Sequence, residues 1–277
     1  MSPVFRVIDD TQHGAAFNMA ADLQLISLCE KTSAVFVRIY SWEKPSITLG
    51  LTEKPGATLD FDAIKANGVE WIRRPTGGRS VLHDHDITYS CVFSTGIKEM
   101  GATLMETYGV ISGCLMNGLR KSGIPCEAHD SPLDSSMSRT SLRLPCFLSP
   151  NRHEIMVGGR KLLGSAQKRT ARAVLQHGSI PLTPAFRSLP DFLALPASER
   201  EAQKRLLDHK TVCVFEVLPT FDSQVMRQFL IEGFKDMLPL SFAASGWSAR
   251  EMREITGMSK SPAFLSKWHS PDDQKHA

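Results

Sequence analysis

The sequence predicts an α+β fold with a mixed or antiparallel central β-sheet flanked by helices, and three observations carry that prediction. Short runs rich in Val, Ile, Phe and Tyr, the signature of buried strands, cluster between residues 34 and 180. Stretches with helical spacing stand before, among and after those runs. No regular strand–helix–strand alternation runs through the chain, which argues against a doubly wound parallel sheet. Size agrees: 277 residues with 42% hydrophobic and 22% charged content suffice for a sizeable core.

Taken in order, Asn18-Met19-Ala20-Ala21-Asp22 opens a helix with Ala20, Leu23, Ile26 and Ser27 on one face. Residues 34–40 read as a strand, with 46–50 as its partner across a Pro-containing turn. A short helix over 61–67 stops at Gly68, and strands are expected over 69–74 and 88–93. Leu104, Tyr108, Ile111, Leu115 and Leu119 recur at three- and four-residue intervals, so 103–122 is expected to lay one apolar face on a sheet. Residues 131–141 carry five serines and little apolar content, which reads as a mobile loop. Residues 154–157 and 160–163 flank Gly158-Gly159, a two-residue hairpin turn whose central positions both need positive φ. A further strand covers 174–180, helices cover roughly 191–208 and 222–238, and the polar tail beyond Ser259 is expected to fray.

Composition removes several function classes. A formal charge of +3, from 32 Lys+Arg and 29 Asp+Glu, is too small a surplus to indicate a nucleic-acid surface. No apolar run reaches the roughly 18 residues needed to span a bilayer, so no membrane association is expected. The opening Met1-Ser2-Pro3-Val4-Phe5-Arg6 lacks the pattern of a secretory signal, and a cytoplasmic location is the expectation. The six cysteines, at 29, 91, 114, 126, 146 and 213, form no CxxC pair, so zinc ribbons and dithiol redox chemistry have no support.

Several segments could carry chemistry. In Arg73-Arg74-Pro75-Thr76-Gly77-Gly78-Arg79-Ser80 two glycines allow close backbone approach, and successive N–H groups could cradle an anion or a carbonyl. The competing reading is a tight basic surface turn. His83-Asp84-His85-Asp86 would place both histidines on one side of an extended segment. No third ligand has recognisable spacing, so a pocket wall or polar loop is favoured and no metal site is assigned. Cys146 ends the serine-rich loop near Arg143, Arg152 and His153, cations that would favour its thiolate. Cys91 and Cys114 have apolar neighbours and read as core. Lys161 opens the second hairpin strand, where it could return beside Cys146 or simply face solvent. Gly164-Ser165-Ala166-Gln167 and Gln176-His177-Gly178-Ser179 end strands with small residues that let a ligand lie against the backbone. His177 is either a general base or a hydrogen-bonded structural group.

Together these segments resemble the lipoate/biotin attachment family of cofactor transferases and ligases. The matching stretches are NMAADLQL (18–25), RIYSWEKPSITLG (38–50), RRPTGGRSVLHDHDITYS (73–90), GRKLLGSAQKR (159–169) and LQHGSI (175–180). The resemblance implies a catalytic domain like that of class II aminoacyl-tRNA synthetases and biotin synthetase, over residues 1–250 with its core at about 33–245. Residues 251–277 would be a partly disordered C-terminal extension. It is closest to the family's cysteine-dependent octanoyltransferases, and it implies Cys146 as acyl-thioester nucleophile. Lys161 would lower the pKa of Cys146 and position the carbonyl. Arg74, Thr76, Gly77, Gly78, Arg79, His83, Gly164, Ser165, Ala166 and His177 would line the substrate site. The implied donor is octanoyl-acyl carrier protein. The implied acceptor is a lysine of a lipoyl-domain protein, such as glycine cleavage H protein or a dehydrogenase E2 subunit. No cofactor is required and a monomer is expected. An ATP-dependent lipoate–protein ligase, with Lys161 contacting an adenylate, is the alternative, and a non-catalytic acyl- or partner-binding member is a third. The sequence departs from the family at Leu23, where an acidic residue is usual, and at Leu51-Thr52-Glu53, where an aromatic and a glutamine are common.

Overall fold

The computed structural model describes residues 3–128, 154–243 and 246–271. Its strands are β1 (Val4–His13), β2 (Ala34–Trp42), β3 (Ser46–Leu49), β4 (Glu70–Arg73), β5 (Val81–His83), β6 (Asp86–Ser94), β7 (Glu127–Ala128), β8 (Ile155–Val157), β9 (Arg160–Arg169), β10 (Ala173–Pro181) and β11 (Phe242–Ala243). The helices are α1 (Ala15–Cys29), α2 (Pro55–Thr58), α3 (Phe61–Ala66), α4 (Leu104–Lys121), α5 (Ala197–Lys210), α6 (Val214–Val217), α7 (Ser223–Met237), α8 (Ala249–Lys260) and α9 (Pro262–Trp268).

Among the described residues, eight strands form one mixed sheet in the order β11-β1-β2-β6-β10-β9-β8-β7, and β4-β3-β5 form a second. Only the pairs of β1 with β2 and β11 run parallel in the larger sheet. The expected α+β architecture is therefore present. One pairing differs from expectation. Residues 46–49 leave the large sheet and pair with β4 and β5, because both edges of β2 are occupied by β1 and β6. Alternation along β3 explains its placement: Ile47 and Leu49 enter a small separate core with Leu59, Ile64 and Leu82, while Thr48 turns toward the large sheet.

α4 and α7 cover one face of the large sheet. Ile111, Leu115 and Leu119 are fully buried there, each stabilising by about 1.5–3 kcal/mol. Thr103 caps α4 by accepting from Glu106 N, and Glu106 closes the capping box. Leu104 is the exception to the predicted stripe, since it stands exposed in the first turn. α1 covers the opposite face and is itself roofed by α8, so its buried positions run round most of the helix. Pro184–Phe192 form a 3₁₀ segment and α5 starts at Ala197, later than expected, because Pro190 and Pro196 interrupt the α-helical pattern.

The C-terminal segment also departs from expectation. Ser261 caps α9, whose Phe264 and Trp268 stand four residues apart and bury against Met19 and Ile255. Composition reads this segment as polar, yet two aromatic anchors on one helical face hold it to α8 and the buried cluster beneath. The hairpin is as expected: Gly158 and Gly159 have φ of 55° and 73°. The serine-rich segment 131–141 and Cys146 lie outside the described residues.

Candidate active site

Strand register sets the site. Two rows of side chains cross the α1 face of the large sheet from β2 through β6 and β10 to β9: Tyr40–Thr88–Ser179–Gly164 and Arg38–Ser90–His177–Ala166. The small sheet lies over the first row and leaves a narrow cavity of about 30 Å³ between them. From β9 to β2 the first row spans three strand spacings, roughly 14 Å. The β9 end is lined by Gly164, Ser165 and Ala166, and the far end by Tyr40 and Trp42. Gly178 is required here, since a Cβ would come within 2.4 Å of the Gly164 carbonyl oxygen and 2.8 Å of the Tyr89 ring.

Arg74 comes from the loop after β4, is 4% exposed and anchors two hydrogen-bonded chains. Its Nε donates to Thr76 Oγ1 at 3.1 Å, which leaves the Thr76 hydroxyl proton for His177 Nε2 at 2.7 Å. His177 Nδ1 then donates to Asp22 Oδ2 at 2.9 Å. Burial lowers the His177 pKa from the ordinary 6.5, with Asp22 opposing, so the ring is neutral at neutral pH. On the other side Arg74 Nη1 donates to the Thr48 carbonyl at 3.0 Å and reaches Thr48 Oγ1 at 3.4 Å. Thr48 Oγ1 meets His83 Nε2 at 3.0 Å, and His83 Nδ1 donates to Asp86 Oδ2 at 2.7 Å. Asp86 Oδ2 also accepts from Thr88 at 3.1 Å and from Ser179. The remaining fork of Arg74 donates to the carbonyls of Gly77 and Arg79 at 2.9 and 2.7 Å.

Of the residues the sequence singled out, Arg74, His83, Gly164, Ser165, Ala166 and His177 line the cavity, and Thr76 lies buried against His177. Gly77, Gly78 and Arg79 do not line it. They are exposed on the loop, and Gly77 and Arg79 contribute carbonyls that fix Arg74. Gly78 packs its carbonyl where a Cβ on Gly50 would stand. The two histidines of 83–86 are not on one side: His83 is buried, whereas His85 turns outward with φ 52° at the hairpin tip. No metal-binding group of three such side chains occurs among the described residues.

Lys161 is 4% exposed, three residues before Gly164 on β9, so it is not a solvated strand lysine. Its Nζ pairs with Glu154 Oε1 at 2.5 Å, and both side chains are at least nine-tenths buried. Cys146 falls outside the described residues. The other five cysteines are buried, and burial pushes their thiols up, Cys29 and Cys114 to about 12. Those five are core residues rather than nucleophiles.

The sequence reading assigned no site role to Asp22, Thr48, Trp42 and Glu154, and took Asp86 only as part of the His83–Asp86 segment. The signal for Asp22 was there: it interrupts the spacing Met19, Asp22, Ile26 on a buried helix face. It fixes His177 although Leu23 holds the position where the family usually carries an acid. Glu53 likewise has work at its unusual position, accepting from Gly50 N and Ser80 Oγ to brace the loop below Arg74.

The profile of the lipoyl protein ligase A/B catalytic domain matches residues 14–235. Octanoyltransferase LipM of Kyrpidia tusciae is 33% identical, over 96% of this chain and 98% of that protein. Octanoyltransferase LipM of Bacillus subtilis is 32% identical, over 96% of this chain and 97% of that protein. A bipartite lipoate protein ligase of Thermoplasma acidophilum has the same fold at a TM-score of 0.78, with 18% identity over 99% of this chain and all of that one. With the profile spanning most of the chain and relatives matching it nearly end to end, this protein belongs to the lipoyl protein ligase A/B catalytic domain family.

Proposed function

We propose that this chain is an acyltransferase that moves an octanoyl group from octanoyl-acyl carrier protein to a lysine of a lipoyl-domain protein, through a thioester on Cys146. The observation that carries the reading is the cavity: a narrow, largely apolar slot across four strands, walled by Met19, Tyr40 and Val81, with the strand of Lys161 at one end. Such a slot suits a saturated chain, whose burial contributes about 0.8 kcal/mol per methylene. The names of the full-length relatives support the reaction class.

In the first step the Cys146 thiolate attacks the donor thioester carbonyl. A new C–S bond forms, the bond to the carrier's sulfur breaks, and that thiol takes up the proton Cys146 gave up. In the second step the neutral amine of the acceptor lysine attacks the Cys146 thioester. The amide C–N bond forms, the C–S bond breaks, and the amine's proton returns to the sulfur. No nucleotide enters either step. The Lys161 ammonium, held by Glu154, favours the thiolate and draws charge from the carbonyl oxygen as it becomes an oxyanion. The neutral His177, through Thr76, and His83, through Thr48, hold Arg74 and the cavity walls in one arrangement.

The test is transfer from octanoyl-acyl carrier protein to apo glycine cleavage H protein, followed by mass spectrometry with and without ATP. Transfer without ATP is expected. Transfer only from free octanoate or lipoate with ATP would replace this reading with the ligase reading.

A further inference from the structure

A second, larger void backs onto the cavity. It is a polar groove lined by Asp9, Glu43, Lys44, Asp84, His85 and Arg227 among others. Trp42 and His83 are the two residues that line both voids. Their rings stack at 4.2 Å between centroids with 21° between planes, and both residues are buried. Both rings are pinned at their edges. Trp42 Nε1 donates to Thr88 Oγ1 at 2.8 Å, and His83 is held by Asp86 and Thr48 at its two nitrogens.

We infer that the Trp42–His83 stack is the wall that sets acyl-chain length. This rests on the octanoyl-transfer reading above. A chain whose carbonyl lies toward β9 and Lys161 runs toward β2 and meets the stacked rings end-on. Methylenes beyond that wall have no apolar space to enter without breaking the Trp42–Thr88 hydrogen bond and the stacking. A soft apolar floor would yield gradually to a longer chain, but rings anchored at three polar atoms do not. Removing the indole joins the cavity to the groove. Because the groove is polar, extra methylenes passing into it would be tolerated rather than strongly favoured. Discrimination between chain lengths should therefore collapse without inverting.

The experiment compares octanoyl- and dodecanoyl-acyl carrier protein as donors for the wild type, Trp42→Ala and Trp42→Phe. Binding of octanoate and dodecanoate is measured by calorimetry on the same proteins. For Trp42→Ala the C8-to-C12 ratio of kcat/KM should fall by about tenfold or more, as the steric exclusion of the longer chain is lifted. Trp42→Phe should lie between. The gain should come mainly as a lower KM for the C12 donor, a change that mere loosening of the fold would not give. An unchanged ratio in a folded variant overturns the inference. If Trp42→Ala does not fold, the Trp42→Phe ratio decides on the same terms. If the wild type transfers no octanoyl group, the transfer reading fails, and the ratio of the two Kd values still decides whether the wall sets chain length.

Discussion

The two ends of the cavity are built from different materials. At the β9 end, Gly164, Ser165 and Ala166 keep side-chain bulk out of the way, and the nearby charge is a buried lysine–glutamate pair. At the β2 end, two stacked rings are fixed by Thr88, Asp86 and Thr48. One end leaves the backbone open to a reacting group with a charge at hand, and the other is filled and rigid. On the proposed reaction, the difference teaches where reactivity and selectivity would be set apart. Substitutions near β9 should change the rate for every chain, whereas those near β2 should change which chain is used.

The largest effect is expected at the reactive end. Lys161→Ala should lower octanoyl transfer by about 10²–10³-fold for all chain lengths, the scale of losing one preorganised oxyanion partner. It should also raise the pH at which Cys146 reacts with iodoacetamide, while chain-length preference stays put. An unchanged alkylation profile would remove Lys161 from its role. Glu154→Gln should give the same pattern at smaller amplitude, because the ammonium stays but loses its fixed position.

At the selective end the effect should first appear as stability. Asp86→Ala strands three donors, those of His83, Thr88 and Ser179, and should cost about 1–3 kcal/mol in urea unfolding. Because Thr88 also holds Trp42, the same variant should weaken discrimination against longer donors. A stability loss with the wild-type chain-length ratio would mean that the wall stands without its anchors. Arg74 serves both ends, so Arg74→Lys should raise KM for every donor without altering the ratio: lysine keeps the charge but cannot hold Thr76, Thr48 and the two loop carbonyls together.

The smallest effect is a pH dependence. His177 has a lowered pKa in the folded protein, so the unfolded chain binds a proton first as pH falls. The stability contributed by the neutral ring is complete above the ordinary value of 6.5 and is lost as pH drops from there through the lower folded value. His177→Gln should flatten the slope of unfolding free energy against pH below that point. An unaltered slope would mean that His177 is not the titrating group.

Much of this contrast was legible in the sequence, but unevenly. Gly158-Gly159 announced its hairpin because the turn demands two positive φ values, and the α4 stripe announced its face because three of its five residues follow helical spacing into the core. The motif 73–83 contains Arg74, Thr76 and His83, and the fold gathers all three around the cavity. What sequence missed depends on contacts between distant segments. Asp22 meets His177 across 155 positions, and Thr48 meets His83 only because β3 pairs with β5 rather than β2. The role of Trp42 is invisible locally, since a strand tryptophan reads as core until the void behind it is seen. Arg79 is the reverse case: a basic side chain beside two glycines suggests anion binding, while in the fold the side chain is exposed and the carbonyl accepts from Arg74.

The account rests on a thioester at Cys146, and one measurement reaches it directly. Purified protein is mixed with octanoyl-acyl carrier protein without ATP or acceptor, and its intact mass is recorded. The account predicts one octanoyl adduct that hydroxylamine removes and that Cys146→Ser does not form. An adduct that persists in Cys146→Ser, or none in a wild type that goes on to transfer the chain, would contradict it.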